Sequence, residues 1–139
     1  MSQQEHPNAA LVRQGYEAFE RGDMDWMQEH LADDVIWHVG GKSAMTGDYR
    51  GKDEVLNLFG RQAQAAGGPP RTSLDDIVGN DRHVVAFGNA TLDDPDGGSV
   101  SWKFANIFRV ADGKAQEVWG LADETSESDV VLNKIMGAS

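Results

Sequence analysis

Between Asn8 and Arg21 the apolar residues Leu11, Val12, Tyr16 and Phe19 recur at helical spacing, and Gly22 follows where a left-handed helix end favours glycine. This pattern predicts a first helix. Asp23 is placed to cap a second, short helix whose Trp26, Met27, His30 and Leu31 share a face, and the LADD segment is expected to end it. The period then changes: Val35, Trp37 and Val39 alternate with Ile36 and His38, and Gly40 and Gly41 close the run as strand-ending glycines do. After an expected loop, KSAMTGDYRG, the stretch KDEVLNLFGRQAQAAGG carries Val55, Phe59, Ala63 and Ala66 on one helical stripe with acids in its first turn. Pro69 and Pro70 stop this third helix.

From Arg71 onward the pattern predicts four antiparallel strands, near 71–79, 82–92, 99–110 and 114–123, separated by the turn signals NDR, DPDGG and ADG. The tail ETSESDVVLNKIMGAS adds at most a helical turn or two around Val130 to Ile135. Three helices followed by a meander imply an α+β architecture with one sheet face packed on helices. A strongly curved sheet then forms a cone with an apolar interior. The expectation is one domain over 1–139, with its core at about 8–123 and a tail from 124 to 139; no repeat or linker is visible.

Composition narrows the function classes. Hydrophobic residues make up 40% of the chain, but no apolar run approaches the roughly 20 residues of a membrane helix. The start MSQQEHPN is neither basic nor apolar, so a cytoplasmic protein without a secretory signal is expected. Zero cysteines exclude disulfides, thiolate metal sites and cysteine nucleophiles. A net charge of -11 repels phosphate backbones and anionic membranes, so nucleic acid and membrane partners are not expected. HVGG, NDRH and ADE lack the paired His and carboxylate spacing of metal sites, and no glycine loop has a phosphate-cradling context, so neither metal nor cofactor is expected.

Alternation also sorts the polar candidates. Trp102, Phe104, Asn106 and Phe108 share one strand face, which makes Asn106 the single polar member of an aromatic row: either a satisfied core amide or a ligand contact. In the last strand Gln116, Val118, Gly120 and Ala122 form the corresponding inward set; the outward Glu117, Trp119 and Leu121 suit a dimer interface. With Trp37 inward, a period of two sends His38 outward with Ile36, although the glycines after it allow a bulge that re-aims the ring.

Three stretches in this order, YEAFERGDMDWMQEHLADDVIWH, GDYRGKDEVLNLF and FRVADGKAQEVW, resemble the SnoaL-like branch of the nuclear transport factor two-like superfamily. The resemblance implies a cystatin-like α+β barrel: a cone-shaped, curved antiparallel or mixed sheet around helices, with an internal apolar pocket and frequently a homodimer. That superfamily holds isomerases, dehydratases, epoxide hydrolases and polyketide cyclases beside non-catalytic binders, so membership alone does not name a reaction. Compared with ketosteroid isomerases, Val39 falls where the aspartate base stands, Gly15 beside Tyr16 where the oxyanion tyrosine stands, and Asn106 where the oxyanion aspartate stands. An amide donates to a carbonyl oxygen without any pKa shift, so carbonyl polarisation survives at Asn106. Compared with limonene epoxide hydrolase, the arginine and first aspartate fall near His83 and Val85 and the second aspartate at Gly120, while Trp37 replaces a water-positioning tyrosine. That reaction is not expected.

The same comparison turns His83, Val85, Phe87 and Asn89 inward, which makes His83 a candidate acid or base; exposure at the start of its strand is the competing reading. The candidate catalytic residues are therefore Asn106, His38 and His83. Candidate ligand contacts are Trp37, Phe59, Trp102 and Phe108, together with Tyr16, Val39, Phe87 and Gln116. The expected function is isomerisation, cyclisation or dehydration of a small apolar carbonyl compound by a homodimer; the alternatives are a non-catalytic binder of a hydrophobic ligand or a dimeric scaffold.

Overall fold

The computed structural model describes residues 5–40, 45–65 and 71–122. Gly41, Ala66, Pro69, Pro70 and the tail with its expected turn at Val130 to Ile135 lie outside the described residues. Helix α1 spans Pro7–Arg21, with proline in its first turn and Gly22 at φ 72 closing it through bonds to the Ala18 and Phe19 carbonyls. Asp23 caps α2 (Met24–His30) by accepting from the Trp26 N–H at 3.1 Å. The third helix, α3, covers Lys52–Ala65 with Asp53 and Glu54 in its first turn.

Six strands follow the chain order β1 (Leu31–Val39), β2 (Gly47–Arg50), β3 (Arg71–Gly79), β4 (His83–Asp93), β5 (Ser99–Ala111) and β6 (Lys114–Ala122). They form one curved, unclosed sheet in the order β2-β1-β6-β5-β4-β3, antiparallel throughout except for the parallel β1–β6 seam. Strands β3 to β6 are the expected meander. Two expectations change. Leu31 opens β1 instead of completing α2, and its strand stays irregular up to Ile36, where exposed Asp33 and Asp34 interrupt the pairing with β6. GDYR, read from sequence as loop, is the edge strand β2, because pairing with β1 and the inward Tyr49 hold a segment that has no apolar alternation of its own.

Two apolar clusters fill the concave side. One gathers Met27, Val35, Val55, Leu58 and Phe59 under α2 and α3; the other gathers Ala9, Val12, Ile77, Val84, Phe108 and Val118 under α1. Trp37 packs against both, its ring edge-on to Phe59 at 5.1 Å and to Phe108 at 6.0 Å. Leu58, which the expected helical stripe omitted, is 1% exposed, and burying such a side chain contributes about 1.5–3 kcal/mol. Among the described residues no helix is long and apolar enough to cross a membrane.

Candidate functional site

Strand register fixes which residues share the concave face. Val39, Gly120, Asn106 and Ala86 stand side by side across β1, β6, β5 and β4, one row along from Trp37, Val118, Phe108 and Val84. Asn106 is thus flanked by two small residues across the strands and by Phe104 and Phe108 along its own. Glycine at 120 has a steric reason: a Cβ there would stand 3.3 Å from Asn106 Oδ1 and 3.2 Å from the His38 carbonyl oxygen.

The amide does not stand alone. Asn106 Nδ2 donates to the Tyr16 hydroxyl at 2.8 Å, joining β5 to α1. Tyr16 also lies 6.1 Å from the Phe104 ring and 6.2 Å from Phe108. Burial pushes the Tyr16 phenol well above its ordinary range, and the bond from Asn106 only partly opposes this, so the hydroxyl keeps its proton across the physiological range. A hydroxyl that accepts one bond is polarised toward donating another. The pair can therefore present an O–H donor, backed by an amide, to a buried carbonyl oxygen. Sequence named both residues but not their contact, since a distance of 90 positions along the chain leaves no local signal.

Trp37, Phe59, Trp102, Phe108, Tyr16 and Val39 all belong to the concave side or to helices packed on it. Four expected site residues do not. His83 pairs with Arg109 and Phe87 with Ala105, both on the convex face; His83 is exposed and Phe87 is 38% exposed, because the alternate residues Val84 and Ala86 fill the core. Gln116 is displaced by a bulge: Val110 faces Ala115, Arg109 faces Glu117, and Gln116 Nε2 instead donates to the Ala111 carbonyl at 3.0 Å. Ala115 takes the inward place.

His38, the fourth, is convex too. Its Nδ1 lies 2.7 Å from Asp48 Oδ1 and its Nε2 2.7 Å from Glu117 Oε2, while the ring stacks on Trp119 at 5.7 Å. Two carboxylates require two N–H donors, which only the imidazolium has. The Glu117 and then the Asp48 bond raise the His38 pKa above the usual imidazole value, and His38 lowers that of Glu117. No concave-face proton can reach this ring. Among the described residues of β4, β5 and β6 that share a face with Asn106, and at Trp37 and Val39, none is Asp, Glu or His.

A curved, unclosed mixed sheet folded over helices is the architecture of nuclear transport factor two-like proteins. The SnoaL-like domain model matches residues 12–118, and the chain belongs to that family. A relative from Mycobacterium tuberculosis, the uncharacterized protein Rv0034, is 40% identical over 77 residues, which are 55% of this chain and 59% of that protein. The match therefore spans about three fifths of the relative's length. Among solved structures, Bal32a from a soil-derived mobile gene cassette superposes with TM-score 0.82 at 25% identity, covering 90% of this chain and 95% of that one. IdmH from Streptomyces antibioticus, provisionally described as a polyketide cyclase, superposes with TM-score 0.74 at 22% identity over 96% of this chain and 100% of its own, a likeness of fold.

Proposed function

We propose that this protein binds a small, apolar, carbonyl-bearing molecule inside the cone and activates it for isomerisation, cyclisation or dehydration. Tyr16 and Asn106 hold the carbonyl oxygen. The observation that carries this reading is the 2.8 Å Asn106–Tyr16 bond, a polar pair set among Phe104, Phe108 and the inward strand row. Drawing charge onto the oxygen makes the carbonyl carbon more electrophilic and its neighbouring C–H more acidic; each buried donor of this kind is worth roughly 100-fold or more in turnover. The provisional assignment of IdmH as a polyketide cyclase is compatible chemistry on a similar fold.

A second reading, binding without turnover, is favoured by the lack of Asp, Glu or His among the described concave strand positions named above. Ligand retained through native purification and identified by mass spectrometry, followed by titration and turnover assays, separates the two. Asn106→Leu and Tyr16→Phe are each expected to weaken binding of that molecule, or of a panel of small cyclic ketones, by about 1–3 kcal/mol. Lower stability with unchanged affinity in both variants would reduce the pair to a structural contact and sink the proposal.

We also propose a homodimer through the convex face. Leu121 is 53% and Val78 52% exposed, and with Phe87 and Trp119 they make an apolar band. Its charged neighbours neutralise one another, Arg71 with Asp93, Lys103 with Asp75 and Arg109 with Glu117, so two copies of a strongly anionic chain can meet there.

A further inference from the structure

We propose that His38 is a proton-operated latch: doubly protonated, it ties the edge strand β2 to β1 and β6, and on losing one proton it releases β2. The geometry comes first. β2 is four residues long and, among the described residues, pairs with β1 alone, so its hold on the sheet is small. On the convex face His38 reaches across both neighbours at once, to Asp48 on β2 and Glu117 on β6, each at 2.7 Å. Among the described residues, the charged groups bonded to the ring are Asp48 from β2 and Glu117 from β6, and beyond Glu117 stands Arg109 from β5, whose Nη2 lies 3.5 Å from Glu117 Oε1; Trp119 supplies the stacked face.

A neutral imidazole keeps one N–H and turns a lone pair toward the other carboxylate, which at 2.7 Å is repulsive. The two carboxylates are unequal. Glu117 is 22% exposed and shared with Arg109, whereas Asp48 is 53% exposed and, among the described residues, bonded only to His38. The remaining N–H therefore stays with Glu117, and Asp48 turns to water and takes β2 with it. The next residue, Tyr49, faces the core cluster around Trp37 and donates to the Met45 carbonyl at 2.6 Å, so the release reaches the wall of the cone. Both bonds raise the affinity of His38 for its proton, Glu117 first. The sign follows: the latch is fully closed below the ordinary imidazole range and opens as pH rises through the raised folded-state value.

Amide hydrogen exchange on the wild-type protein tests this from about pH 5.5 to about pH 9, a window around the usual imidazole value. Protection of β2 and of Gly51, which donates to the Val35 carbonyl at 2.7 Å, is read relative to β4 and β5, with sedimentation confirming constant assembly. The relative protection is expected to fall roughly three- to tenfold, the scale of one hydrogen bond. Its midpoint is expected to coincide with the His38 titration followed by NMR, above about pH 6.5. Asp48→Asn, a surface change, and His38→Gln are each expected to hold β2 in the low-protection state with no pH step. A wild-type ratio that stays flat with pH, the same step in either variant, a loss shared equally by β4 and β5, or a His38 pKa at or below the ordinary value overturns the latch.

Discussion

A missing Cβ has different meanings at Gly88 and Gly120. At Gly88 the backbone of β3 comes so close, after the irregularity between Leu74 and Asp76, that a Cβ would collide with the Ser73 carbonyl oxygen and stand 2.8 Å from Leu74 Cα. Main chain cannot swing aside, so Gly88→Ala is expected to cost about 3 kcal/mol, the upper end of overpacking. At Gly120 the nearest atoms are 3.2–3.3 Å away, and one of them belongs to the Asn106 amide, a side chain that can turn. Gly120→Ala is therefore expected to cost about 1 kcal/mol in stability and to weaken carbonyl binding by moving Asn106 off Tyr16. Urea denaturation and ligand titration on the two variants check the contrast. Equal destabilisation would show that Gly120 is held by the sheet and not by the amide.

At the level of elements, α1, α2, α3 and the meander were legible because each carries its own period and punctuation: Gly22, Asp23 and the turns at 80–82, 94–98 and 112–113. What stayed hidden was non-local. Leu31 looks like a helix residue because it continues the α2 face, yet its backbone is already extended, and only pairing with Ala115 reveals the strand. β2 has a single inward apolar anchor, Tyr49, so nothing in GDYR distinguishes it from a loop until β1 lies beside it. The candidate site divides in the same way. Asn106 was readable from the aromatic alternation on β5, and the outward setting of His38 from the period of β1. The inward assignment of His83 and Phe87 rested on the resemblance to a hydrolase whose key residues are absent here, whereas the strand's own apolar positions, Val84 and Ala86, identify the buried face. Gln116 failed for a third reason: a bulge changes the parity of a strand without leaving a mark in its composition.

For the whole molecule, the proposed dimer rests on the convex band. Trp119→Glu adds a like charge to each side of the proposed two-fold interface and is expected to move sedimentation from dimer toward a monomer near 15.1 kDa, while affinity for a ligand at the proposed concave-face site is expected to hold. A wild-type protein that sediments as a monomer at micromolar concentration would remove the dimer. The parallel β1–β6 seam has another consequence, in time. His38 and Glu117 meet across 79 intervening steps of chain, whereas β3 to β6 are joined by turns of a few residues. Closing so long a loop is entropically costly before any contact repays it, so the meander is expected to form the nucleus, with β1 docking onto a sheet that already exists. Val84 on β4 and Val35 on β1 are both 0% exposed, which makes them a matched pair of probes. Val84→Ala is expected mainly to slow refolding in stopped-flow experiments, and Val35→Ala mainly to speed unfolding; comparable slowing of refolding by both would mean that the two ends of the chain find each other early.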